Sequence, residues 1–173
     1  MPTLVLRDPS LVILIGPAGA GKSTLAARLF DVDEIVSSDA LRAVVSGDEA
    51  DQRATGIAFR ILHRTVATRL AGGRMTVVDA TNLEPVVRRP LIQRARAAGV
   101  PLTAIAFDLD AATVHRQNAA RPRVVASDVV ERHLAAMRRT VERGGLATEG
   151  FDQIVVLRSP DDATALIVER VAR

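Results

Sequence analysis

Five short, largely apolar runs recur along the chain, at Leu11 to Ile15, Glu34 to Ser37, Met75 to Val78, Leu102 to Phe107 and Ile154 to Leu157. Stretches with helical spacing of apolar residues separate them. Runs this short and continuous suit strands covered on both faces, and strands alternating with helices predict an α/β fold with a central parallel sheet flanked by helices. Local signals mark several helix ends. Ser159-Pro160 supplies an N-cap and an N1 proline for the last helix, and Asp128-Val129-Val130-Glu131 resembles a capping box ahead of Leu134 and Met137. A long helix is expected over Ala54 to Ala71, stopping at Gly72-Gly73, with Ile57, Ile61, Leu62 and Leu70 as its core stripe. Pro90 and Pro122 mark breaks near helix starts. No repeat, low-complexity tract or linker interrupts the chain, so residues 1–173 are expected to form a single domain.

The first run ends on Gly16-Pro17-Ala18-Gly19-Ala20-Gly21-Lys22-Ser23-Thr24, after which Leu25, Ala26 and Leu29 continue as a helix face. Strand, glycine loop and helix in that order make a phosphate cradle. Glycines let successive backbone N–H groups point inward, and the helix N-terminus adds partial positive charge. The spacing is that of a P-loop, so this segment is expected to hold ATP, with Lys22 reaching the β- and γ-phosphates and the Ser23 hydroxyl on Mg²⁺. Lys22 is the sole lysine beside 22 arginines. A compact ammonium fits between phosphates where a planar guanidinium would not.

Three later segments carry further chemistry. Ser37-Ser38-Asp39 with Arg42 falls at the carboxyl end of the second strand and the start of a helix, where α/β folds place ligand contacts. Asp39 can cap that helix, accept the proton of an attacking hydroxyl, or do both, and Arg42 one turn on can hold an acceptor phosphate. Thr76 to Asn82 is an apolar strand ending in Asp79, placed either to hold Mg²⁺, directly or through water, or to bond neighbouring backbone. His115-Arg116-Gln117-Asn118-Ala119-Ala120-Arg121-Pro122-Arg123 is arginine-rich and broken by proline, as suits a mobile lid over about 111–143. Arg121 and Arg123 are the candidates to neutralise charge that develops during phosphoryl transfer, the alternative being a solvated basic face. His63, His115 and His133 lack metal-ligand spacing and read as surface or packing residues.

Composition narrows this picture little. At 48% hydrophobic, the 173 residues can bury a substantial core, and no apolar run approaches the roughly 18 residues of a membrane span. Met1 to Ser10 lacks the pattern of a signal peptide, so a soluble cytoplasmic protein without membrane contact is expected. Without cysteine there is no disulfide framework or thiolate chemistry. The high isoelectric point, about 10.7, reflects the scarcity of groups titrating between His and Arg rather than strong charge, the net being only +3.

Taken together, Ile13 to Thr24, Ser37-Ser38-Asp39 with Arg42, Asp48-Glu49 through Asp51-Gln52 to Ala54-Thr55-Gly56, and Thr76 to Asn82 resemble the kinase module of bacterial polynucleotide kinase-phosphatase. The likeness runs from about Leu11 to Leu157. It implies a P-loop phosphotransferase with a helical lid, moving the γ-phosphate of ATP to the 5′-hydroxyl of DNA or RNA in end healing. By the same resemblance Asp39 is the base, Arg42 an acceptor contact, and Arg121 and Arg123 belong to the lid. The chain departs from the family at Gln117, where similar chains place an arginine directly before the lid asparagine. Implied partners are nucleic-acid 5′-hydroxyl ends, phosphatase or ligase modules in a longer parent chain, and a second copy of the chain. Two other functions fit the P-loop: a kinase of a sugar or nucleoside, and a regulatory ATP-binding module. An aromatic content of 2% leaves few stacking platforms for an extended single strand but suits a grip on the terminal nucleotide or two.

Overall fold

The computed structural model describes residues 3–47, 55–142 and 144–172. Five parallel strands form the central sheet: β2 (Leu11–Ile15), β3 (Ile35–Ser37), β4 (Thr76–Asp79), β5 (Leu102–Phe107) and β6 (Gln153–Leu157), in the order β3-β4-β2-β5-β6. Each predicted run is one of these strands, displaced by a residue at most. Along β2 the side chains alternate between two cores. Leu11, Ile13 and Ile15 join the cluster under α3 (Thr55–Ala71) and α4 (Pro85–Ala98), while Val12 and Leu14 join that under α1 (Lys22–Leu29). A strand that is apolar at every position is thus one covered on both faces. The α/β class, with helices on either side of a parallel sheet, is as the sequence predicts.

The remaining helices are α2 (Ser38–Ser46), α5 (Ala111–Ala119), α6 (Ser127–Glu142), α7 (Gly145–Glu149) and α8 (Pro160–Ala165). Helices α5 and α6, joined by residues 120–126, are the two arms of the expected lid. Helix α8 opens as predicted on Ser159, whose side chain accepts from the Asp162 N–H. The polypeptide then continues into a strand instead of ending as a helix: β7 (Ile167–Ala172) pairs in parallel with β1 (Thr3–Asp8) as a separate two-stranded sheet. Strand β1 alternates, with Leu4 and Leu6 buried between exposed neighbours. Strand β7 is almost wholly exposed, so its sequence carries no such alternation. Arg170 on β7 is held by a two-pronged bond to Glu34, 2.6 Å on each arm.

Three helix expectations need correction. The buried stripe of α3 is Ala58, Leu62, Val66 and Leu70, at a strict four-residue spacing, and Ile57 and Ile61 lie to one side, 44% and 37% exposed. Pro90 lies inside α4, where Pro85 is the N1 residue. Asp128 lies within α6 and bonds Arg132, while Glu131 bonds His115, so neither serves as the expected cap. A carboxylate with an arginine four residues on makes the helical ion pair that a cap would forgo. The resembling stretch from Asp48 to Ala54 lies outside the described residues, as does 143 at the end of the expected lid. Among the described residues no helix is long and apolar enough to cross a membrane.

Candidate active site

The carboxyl ends of β2, β3 and β4 open onto one cleft of about 930 Å³, roofed by the turn between α5 and α6. The glycine loop leaves β2 under tight constraints. A Cβ on Gly16 would stand 2.8 Å from that of Phe107 on β5, and one on Gly19 would stand 3.0 Å from that of Asn118 on α5. Gly19 also has φ +86, which a side chain would resist. The backbone N–H of Gly16 bonds Thr81 O at 3.0 Å, tying the loop to the end of β4.

Lys22 is the first residue of α1 and is buried, its Nζ donating to Gly16 O at 2.9 Å and Pro17 O at 2.7 Å. Burial pushes its ammonium down to about 8; the Asp79 and Asp39 carboxylates oppose that fall and Arg121 adds to it. Ser23 Oγ donates to Asp79 Oδ2 at 2.7 Å. Burial raises the Asp79 carboxyl above the usual range, against the pull of Ser23 and Lys22. Ser23 and Asp79 therefore present two hard oxygen donors side by side, a set that fits Mg²⁺ retaining most of its waters.

On the facing side, Ser37 Oγ accepts from the Ala40 N–H as the N-cap of α2. Asp39 is thereby released from capping and lies in the first turn, ion-paired with Arg42. Both line the cleft, as do Arg121 and Arg123. Arg116 does not: it is exposed and donates to Thr113 Oγ1 at 2.8 Å. The structure thus gathers Lys22, Ser23, Asp39, Arg42, Asp79, Arg121 and Arg123 around one space, together with the loop from Ala18 to Gly21 and Thr24 in the first turn of α1.

Several residues support the site through contacts that the sequence does not show. Asn118, buried on α5, clasps Val125 both ways, Nδ2 to O at 2.8 Å and Oδ1 from N at 3.0 Å, and so closes the turn that carries Arg121 and Arg123. Asn82 adopts φ 47 and donates to Leu14 O at 2.8 Å. Arg88, fully buried on α4, donates to the carbonyls of Asn82 and Leu83, 2.7 Å each, and pairs with Glu149. This network fixes the residues that follow Asp79. Its signal was readable, because Leu91 and Ile92, three and four positions on, place Arg88 on the buried face of α4. His133 on α6, expected as a surface or packing residue, borders the cleft.

A protein-family profile described as AAA domain matches residues 11–143. No curated protein matches the chain. Among solved structures, the RNA repair complex Pnkp1/Rnl/Hen1 aligns at 20% identity with a TM-score of 0.68, over 79% of this chain and 46% of that one. The PezAT toxin–antitoxin system of Streptococcus pneumoniae aligns at 16% identity, TM-score 0.63, over 87% and 67%. A gluconokinase from Sinorhizobium meliloti 1021 aligns at 17% identity, TM-score 0.55, over 92% and 91%. The chain spans less than half of the RNA-repair chain but nearly all of the gluconokinase. At these identities the shared feature is the fold, that of P-loop kinases.

Proposed function

The chain belongs to the AAA domain family, and we propose that it is an ATP-dependent polynucleotide kinase, phosphorylating 5′-hydroxyl ends of DNA or RNA. The observation that carries the reading is the pairing of Asp39 and Arg42 in the same cleft as Lys22, Ser23 and Asp79. A module that only binds ATP needs no carboxylate facing the phosphate loop. In the proposed reaction the acceptor hydroxyl loses its proton to Asp39 and its oxygen bonds the γ-phosphorus. The bond from that phosphorus to the β,γ-bridging oxygen breaks, and ADP departs. Lys22 and the loop N–H groups hold the β- and γ-phosphates, and Arg121 and Arg123 meet the charge on the equatorial oxygens. Ser23 and Asp79 would hold Mg²⁺, which neutralises phosphate charge when bound.

Support for a nucleic-acid acceptor comes from Ser37-Ser38-Asp39 with Arg42 and from Thr76 to Asn82, the segments that resemble the end-healing kinases. A second reading, phosphorylation of a small polyol or sugar acid, has its own support in the gluconokinase, which matches this chain almost end to end. Incubation with γ-labelled ATP and a panel of 5′-hydroxyl DNA and RNA oligonucleotides, nucleosides and gluconate separates the two. Label on an oligonucleotide is the expected result. Label on gluconate or a nucleoside alone would transfer the assignment to the second reading, and hydrolysis without any acceptor would remove the kinase assignment.

A further inference from the structure

A smaller cavity of about 380 Å³ adjoins the main cleft, and His133, with Phe59 and Thr81, borders both. Its imidazole is anchored. The Ala18 N–H of the glycine loop donates to His133 Nδ1 at 3.3 Å, and among the described residues this is the one hydrogen bond between lid and loop. A backbone N–H can only donate, so Nδ1 must present its lone pair, and a neutral ring that accepts there carries its proton on Nε2. Burial, then the charges of Lys22 and Arg132, lowers the His133 pKa below the usual histidine range, which favours the neutral ring. Nε2 has no protein partner among the described residues and is not among the polar atoms buried without one. The neighbouring cations of the small cavity are engaged, Arg132 by Asp128 at 2.7 Å and Arg139 by Glu84 at 3.5 Å.

We propose that His133 is an acceptor-binding residue: with Nδ1 held by Ala18, Nε2–H is left to donate to an oxygen of the hydroxyl-bearing substrate in the space that the ring borders. The inference rests on the kinase reading and adds a contact that sequence spacing does not show.

Two substitutions separate the ring's halves. His133→Asn keeps an oxygen near the Nδ1 position for Ala18 but has no donor at the Nε2 position. His133→Gln reaches the Nε2 position with an amide donor and gives up the near acceptor. With a 5′-hydroxyl oligonucleotide, His133→Asn should raise the acceptor KM about tenfold, the scale of one hydrogen bond, while the ATP Kd stays within about twofold. His133→Gln should bring the acceptor KM back to within about threefold of the parent. An unchanged acceptor KM in His133→Asn, or equal shifts in ATP Kd and acceptor KM across both variants, would overturn the proposal. If the parent phosphorylates gluconate and no oligonucleotide, the polynucleotide reading falls and the same split is read on gluconate. Long-range ¹H–¹⁵N spectra of the imidazoles provide a readout that needs no acceptor. A proton on Nε2 and a bare Nδ1 at His133 is the expected signature, and a proton on Nδ1 would refute the assignment.

Discussion

The two sides of the cleft are built differently. On the side of the glycine loop the site side chains are held at short range: Lys22 on Gly16 and Pro17, and Ser23 on Asp79, while Gly16 N–H bonds Thr81 and the residues after Asp79 rest on the buried Arg88. On the facing side Asp39 is 41% exposed at its side chain, and Arg121 and Arg123 ride on a turn closed chiefly by Asn118 and Val125. The contrast fits the proposed chemistry. ATP phosphates have the same shape in every turnover and reward a preorganised cradle, whereas an acceptor must enter and leave beneath a lid.

The rigid side is tested most severely by Lys22→Arg. Although charge is retained, transfer should fall almost to the level of Lys22→Ala, because a planar fork cannot occupy the position between Gly16 O, Pro17 O and the phosphates. Near-normal turnover would mean that this side is more forgiving than its geometry implies. The looser side should show the next largest effect, in the rate constant. Alanine at the operative lid arginine, Arg121 or Arg123, should cut kcat by about 10³, more than it raises KM for ATP. Arg116→Ala, outside the cleft, is the control, and equal losses in all three variants would dissolve the distinction between cleft and solvent arginines.

Asp39→Asn addresses the facing carboxylate. Ser37 and not Asp39 accepts the capping N–H of α2, so folding and ATP affinity should change little while transfer drops by about 10². Calorimetry with ATP and a gel assay of the same preparation decide it; lost ATP binding would show that Asp39 is structural. Glu149→Gln probes the support beneath the rigid side. It leaves the Arg88 charge buried and uncompensated, for which about 3 kcal/mol of stability should be lost in urea unfolding, with transfer at low temperature within about tenfold of the parent. The smallest effect concerns protons. The Lys22 ammonium, held down to about 8, is charged below that pH and loses its proton as pH rises through it, and phosphate favours the charged form. ATP binding above pH 8 should therefore take up as much as one proton, seen as a dependence of binding enthalpy on buffer ionisation, and should weaken as pH rises further. A buffer-independent enthalpy at pH 9 would contradict it.

What the sequence determined by itself was whatever depends on near neighbours in the chain. Five apolar runs became the five strands of the sheet, and Gly16 to Gly21 became the turn that leads into α1, because strand burial and a glycine turn before a helix are written in consecutive residues. Asp39 and Asp79 were legible for the same reason, each lying at or just past the carboxyl end of a recognisable strand. The tertiary structure alone decided which face of α3 is buried, that β1 and β7 pair across the length of the chain, that the carbonyls after β4 are the partners of the buried Arg88 and of Thr140 on α6, and that His133 meets Ala18. It also separated Arg121 and Arg123 from Arg116, which composition treats alike. Each of these rests on a contact between residues far apart in sequence, or on the rotation of a helix by a fraction of a turn. Hydrophobic periodicity constrains neither closely, since a helix turned by 100° presents the next residue to the core at little change in its local pattern.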